Sequence, residues 1–197
     1  MPLNTPNILT LLRIALIPVF VLVYFLPVSW ANAGSAGFFL LAAVTDWLDG
    51  YFARKLNQSS AFGAFLDPVA DKLMVAAALI LIVANPSLRP TLISGPLFSV
   101  VVLIIIGREI AVSALREWMA ELGKRKSIAV SYIGKFKTGA QMTAILLLLY
   151  EHPIAGLPAA RIGEVLLYVA ALLTLWSMGI YLKAAWPELI KADKDRS

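Results

Sequence analysis

"DWLDGYFARKLNQSSAFGAFLDPVAD", residues 46–71, sets four aspartates between flanks apolar enough for a bilayer. An Asp at the centre of a membrane helix costs roughly 2.5–3.5 kcal/mol, so four standing alone would cost about 10–14 kcal/mol. The rest of the chain shows that the bilayer is the right reference. Its 197 residues are 60% hydrophobic and 15% charged, with a mean hydropathy of +0.81. Soluble domains are nearer half apolar and a quarter charged. The composition predicts an all-α integral membrane bundle in a single domain, 1–197. Cysteine is absent and His152 is the only histidine, which excludes thiolate and histidine-rich metal sites. A metal in this chain would be held by oxygen, as hard cations such as Mg²⁺, Mn²⁺ or Ca²⁺ are.

Hydropathy and Gly/Pro breaks predict six spans, near residues 8–27, 37–54, 64–84, 96–118, 137–150 and 162–183. The fifth is short unless it begins near Gly134. Six spans put both termini on one side. Of the seventeen Lys and Arg residues, all but Arg89 and Arg161 fall at the ends that share the side of the termini. By the positive-inside rule that side is the cytoplasm. A cleavable leader ending at Ala31-Asn32-Ala33 is disfavoured, because Arg13 is the only basic residue ahead of the apolar run and Pro18 interrupts it.

The second and third spans form a hairpin around "KLNQSS". Asp46 and Asp49 are three apart and Asp67 and Asp71 four apart, so each pair shares a helix face. Asp49 and Asp67 lie about nine residues either side of the turn, and Asp46 and Asp71 about twelve or thirteen; at ~1.5 Å per residue the pairs match in depth. Two carboxylate layers then face each other near the cytoplasm. Divalent cations would cancel that charge. Gly50, Ala53 and Gly63 leave room for a bulky ligand, and Arg54 offers a planar fork for phosphate. Two other readings are weaker. Structural ion pairs with Arg54, Lys72 and Arg108 leave the small residues without a role. An ion-conducting relay would spread its carboxylates through the membrane depth.

The pattern Asp46-x-x-Asp49-Gly50-x-x-Ala53-Arg54, then Gly63-x-x-x-Asp67-x-x-x-Asp71, resembles the signature of the CDP-alcohol phosphotransferases at all eight defining positions. "PNILTLLRIALIPVF", "GREIAVSALREWMAELGK", "GKFKTGAQM" and "LTLWSMGIYL" extend the likeness over nearly the whole chain. These stretches are similar to bacterial members that join CDP-diacylglycerol to glycerol 3-phosphate, giving phosphatidylglycerophosphate and CMP. The resemblance implies six transmembrane helices, a homodimer in the bacterial cytoplasmic (inner) membrane, and two divalent cations, Mg²⁺ or Mn²⁺, at the cytoplasmic side. It implies that Asp46, Asp49 and Asp67 are metal ligands, and that Asp71 is both a ligand and the general base. Gly50, Ala53, Arg54 and Gly63 would hold the CDP moiety. Asn7 and Thr10, possible helix-start caps, and Arg13, expected to snorkel to the phosphate level, would lie beside the nucleotide.

The acceptor phosphate needs cations of its own. Arg108, Lys135 and Lys137, with Arg116, are the candidates, converging where the fourth and fifth spans meet the cytoplasm. Glu109 is expected to neutralise Arg108 or a neighbour, and Lys135 and Lys137 also suit plain juxtamembrane charge. Lys124-Arg125-Lys126 is expected in a solvated, lipid-facing loop, Trp30, Trp118, Trp186 and Tyr150 in interfacial belts, and His152 in an outer loop without a catalytic role. Two rival functions remain. A sister enzyme would use inositol phosphate or serine; a cation transporter with an acidic intramembrane site would move ions and release no CMP.

Overall fold

The computed structural model describes residues 5–56, 61–121 and 132–194. Among these residues the chain is all-helical: α1 Thr5–Tyr24, α2 Ala31–Leu56, α3 Ala61–Ala84, α4 Gly95–Glu121, α5 Tyr132–Tyr150 and α6 Ala159–Lys194, with one 3₁₀ turn, Arg89–Thr91. The run Lys124-Arg125-Lys126 lies outside the described residues.

Among the described residues, three helices are long and apolar enough to cross a membrane, over Asn7–Tyr24, Gly95–Ala120 and Ala159–Lys183. The others, α2, α3 and α5, carry the four motif aspartates or Lys135 and Lys137. In α3 the apolar stretch is interrupted by Asp67, Asp71 and Lys72. Large apolar side chains such as Leu22, Phe65, Leu103, Phe136, Leu172 and Trp176 are exposed on the outside. In water such a surface would aggregate; against acyl chains it is the expected one.

Several helix ends differ from the hydropathy-based expectation. Helix α1 stops at Tyr24, short of 27, because Pro27 forces the preceding residues out of the α region; Phe25 and Leu26 close the end with bonds to the Leu22 and Val23 carbonyls. Helix α2 starts at Ala31 rather than 37. Asn32, Gly34 and Ser35 favour loops when exposed. Here Ser35 is buried and its hydroxyl donates to the Ala31 carbonyl at 2.8 Å. At Gly34 a Cβ would meet the Trp30 ring at 2.9 Å, so only glycine lets that ring lie across the helix start. Helix α5 begins at Tyr132, which gives it the length of a span. Helix α6 runs on to Lys194; at 1.5 Å per residue its 36 residues reach about 54 Å, well beyond a ~30 Å hydrocarbon core. Hydropathy marks where lipid ends, and a helix need not end there.

The chain forms two compact units. One comprises Met1–Ile93 and Ile145–Gly163, the other Ser94–Ala144 and Glu164–Ser197. In the first, α1 packs against both α2 and α3, more extensively than those two pack on each other. Its core includes Phe20, Phe39 and the α3 stripe Ala70, Met74, Ala78 and Ile82, in which small residues permit close helix approach. In the second, Phe98, Val102, Ile105 and Met119 of α4 are buried, as are Leu167, Ala170 and Ala185 of α6.

One residue the sequence does not advertise ties the first unit together at the end remote from the α2–α3 turn. Glu151 follows α5 in the left-handed region, at φ 62°. Its carboxylate accepts from Asn32 Nδ2 at 3.0 Å, from Ser87 Oγ at 3.3 Å and from Asn85 Nδ2. The start of α2, the end of α3 and the end of α5 thus share one acceptor. Replacing Glu151 by Ala removes the acceptor of both partly buried amides, at about 0.5–1.5 kcal/mol for each hydrogen bond lost. The melting temperature in detergent should fall; an unchanged value would show that water satisfies these groups.

Candidate functional site

In the first unit the carboxylates come from two helices and meet a third. Asp46 of α2 is paired with Arg13 of α1, Nη1 to Oδ1 at 2.7 Å. Asp67 of α3 accepts a hydrogen bond from the Thr10 hydroxyl of α1. Thr10 and Arg13 are three residues apart, so their partners are staggered by about 4.5 Å along α1. That agrees with the stagger expected from counting outward from the turn, with Asp46 further from it than Asp67. What counting does not reveal is that α1 receives both carboxylates.

Arg13 departs from expectation. Its side chain is 1% exposed and turned into the bundle. Snorkelling is unnecessary because Asp46 supplies the counter-charge, and a guanidinium suits a desolvated ion pair. Among the described residues, the structural ion pairs considered for the aspartates do not form with Lys72 or Arg108, and the Arg54 side chain lies outside those described. Lys72 donates to the Pro68 carbonyl at 3.1 Å, and Arg108 pairs with Glu109. Asn7 is buried on the same face of α1. Gly63 is buried near the start of α3, and Asp71 is partly exposed one turn beyond Asp67. Asp49, Gly50, Ala53 and Arg54 lie in α2, their side chains outside those described.

The donor set suits a hard divalent cation. It consists of carboxylate oxygens, two of them fixed to neighbouring turns of one helix. The Asp46 side chain is still 45% exposed, so its pairing with Arg13 leaves acceptor capacity. Among the described side chains, which exclude Asp49, no three potential ligands gather closely enough to hold a metal.

The second unit holds a cluster of the opposite sign. Arg108 donates from Nη1 to Glu109 Oε1 at 3.0 Å and from Nη2 to Ser177 Oγ at 2.9 Å. Lys137 Nζ reaches the same Glu109 oxygen at 2.8 Å. Arg116 donates to the Tyr181 hydroxyl at 3.0 Å, and both guanidiniums lie over the Tyr181 ring, 6.0 Å away for Arg108 and 5.3 Å for Arg116. Lys137 is buried and the Arg108 side chain is 9% exposed. Two cations, Arg108 and Lys137, thus share one carboxylate, and Arg116 joins them through Tyr181. Arg108 Nε, buried, has no hydrogen-bond partner among the described residues. A buried guanidinium edge left unmatched in a net-positive cluster is suited to an anionic group. Lys135 lies in the first turn of α5, its side chain outside those described.

Ser177 and Tyr181 escaped the reading of the sequence. Their signal was a polar stripe at helical spacing, Thr174, Ser177 and Tyr181, inside the apolar "LTLWSMGIYL".

The chain matches the family described as CDP-alcohol phosphatidyltransferase over residues 3–176. It is 52% identical over 191 residues to a protein of Shigella flexneri serotype 5b (strain 8401), covering 96% of this chain and 99% of that one. Identity and coverage are the same for a protein of Escherichia coli (strain K12). Both relatives are named CDP-diacylglycerol–glycerol-3-phosphate 3-phosphatidyltransferase. With a family match over most of its length and relatives of this identity over nearly all of it, the chain belongs to the CDP-alcohol phosphatidyltransferase family.

Proposed function

We propose that this chain transfers the phosphatidyl group of CDP-diacylglycerol to glycerol 3-phosphate, releasing phosphatidylglycerophosphate and CMP. The acceptor hydroxyl oxygen forms a bond to the phosphatidyl phosphorus, and the bond from that phosphorus to the bridging oxygen breaks, with CMP as leaving group. The proton goes to Asp71 as general base. Cysteine is absent from the chain, and no covalent intermediate is invoked. Asp46, Asp49, Asp67 and Asp71 would hold two divalent cations, Mg²⁺ or Mn²⁺. Such cations would neutralise the pyrophosphate and the charge developing on CMP.

Gly50, Ala53 and Gly63 leave space for the CDP moiety, and Arg54 matches a phosphate with its fork. Asn7, Thr10 and Arg13 line the nucleotide side of the carboxylates. Arg108 and Lys137, with Lys135 and Arg116, bind the phosphate of the acceptor. Six spans with cytoplasmic termini, in a bacterial inner membrane, are supported by the bias of Lys and Arg toward one face and by the bacterial relatives. The reactive face is then the cytoplasmic one. The homodimer rests on the family resemblance.

The observation that carries the acceptor assignment is the largely buried pair of cations on Glu109, Arg108 and Lys137, with the buried Arg108 Nε unpartnered among the described residues. A phosphate dianion offers that cluster more counter-charge than serine, whose single carboxylate is balanced by its own ammonium. Arg108→Ala and Lys137→Ala should each raise KM for glycerol 3-phosphate while leaving that for CDP-diacylglycerol nearly unchanged. One charge-assisted hydrogen bond is worth about 1.5–3 kcal/mol, roughly ten- to a hundredfold in KM if binding equilibrates. Lys124→Ala is the control. If both variants matched that control, the phosphate pocket would have to be built from other residues.

A further inference from the structure

We infer that Thr10 and Arg13 of α1 are positioning residues for the cation-binding carboxylates, setting the orientation of Asp67 and Asp46. The inference rests on the proposal that these aspartates hold divalent cations, and adds a role for a helix that contributes no carboxylate itself.

An aspartate's terminal torsion is broad and roughly two-fold, so an unrestrained carboxylate turns easily. A cation site needs it fixed. Thr10 has one hydroxyl proton, which it gives to Asp67 Oδ1. That turns one oxygen toward α1 and leaves the other for a cation. Arg13 holds Asp46 through an ion pair, Nη1 to Oδ1 at 2.7 Å. Both α1 residues are themselves immobilised: Thr10 is fully buried, and Arg13 is 1% exposed. Their helix packs on both α2 and α3 more extensively than those helices pack on each other. The spacing between Asp46 and Asp67 is therefore set through α1, by two side chains one helical turn apart.

The guanidinium has a second consequence. Before a cation arrives, its charge offsets the repulsion among neighbouring carboxylates. Once a cation is bound, the same charge opposes it. Removing Arg13 would therefore mix two effects of opposite sign, whereas removing the Thr10 hydroxyl changes orientation alone. Thr10 is the cleaner test.

Loss of an outer partner of a metal ligand typically lowers metal affinity about ten- to a hundredfold. The measurement is Mn²⁺ binding to purified, substrate-free protein in detergent, followed by the electron paramagnetic resonance signal of free Mn²⁺. Thr10→Val, nearly the same in shape, should weaken binding by about tenfold or more. Thr10→Ser, which restores the hydroxyl, should bind like the unmodified protein. Thr10→Ala carries the same expectation as the valine variant should that one not fold. If Thr10→Val bound Mn²⁺ unchanged while Asp67→Asn lost it, the positioning role would be overturned and the metal proposal would stand. Equal weakening in the valine and serine variants would also overturn it, because packing rather than the hydroxyl would then matter. No Mn²⁺ binding by the unmodified protein would overturn both.

Discussion

Asp67→Asn should reduce CMP release by at least about 10²–10³-fold, the usual loss when one preorganised stabiliser of developing charge is removed. The substitution keeps size and shape. Thr10, whose hydroxyl can rotate to accept as well as donate, keeps a partner at that position. The variant should therefore insert and purify normally, which separates lost chemistry from lost folding. The same loss should follow from EDTA in the unmodified protein and be reversed by adding Mg²⁺ or Mn²⁺. Full turnover in metal-free buffer would sink the cation-based mechanism, whatever the Asp67 variant did.

Asp71→Asn should behave differently. Asp71 sits one turn beyond Asp67 on the same face of α3 and remains partly exposed. As general base it contributes about 10²–10⁴-fold to the rate. An amide cannot take the acceptor's proton, so turnover should fall by that factor while CDP-diacylglycerol binding stays measurable. The discriminating measurement pairs single-turnover kinetics with equilibrium binding of the lipid nucleotide. Loss of binding together with turnover would leave Asp71 as a metal ligand only.

The sequence made the carboxylate side of the site legible because its chemistry is local. Asp46 and Asp49 share a face by spacing, as do Asp67 and Asp71, and counting from the turn gave the stagger. The meeting of Arg108 with Glu109 and Lys137 is legible for another reason: a buried arginine in an apolar helix has few alternatives to a partner or a ligand. The unread features are pairings between distant segments. Arg13 with Asp46, Thr10 with Asp67 and Glu151 with Asn32 and Asn85 join residues from separate helices. No periodicity within one helix reports them. Arg13 was misjudged because its length permits snorkelling, and only the fold shows an acid within reach. Helix ends were misplaced where hydropathy stood in for helicity. The Ser35 back-bond extends α2 through a polar start, and α6 continues beyond its apolar stretch.

The central claim is that this chain joins CDP-diacylglycerol to glycerol 3-phosphate. Its most direct test gives the purified protein CDP-diacylglycerol, Mg²⁺ and a panel of alcohols, and follows CMP release and the lipid formed. Glycerol 3-phosphate should support rapid CMP release with a matching yield of phosphatidylglycerophosphate, while serine and inositol phosphate support little. Preference for either of those would assign the chain to another acceptor. No CMP release with any alcohol, accompanied by cation flux in proteoliposomes, would contradict the transferase itself.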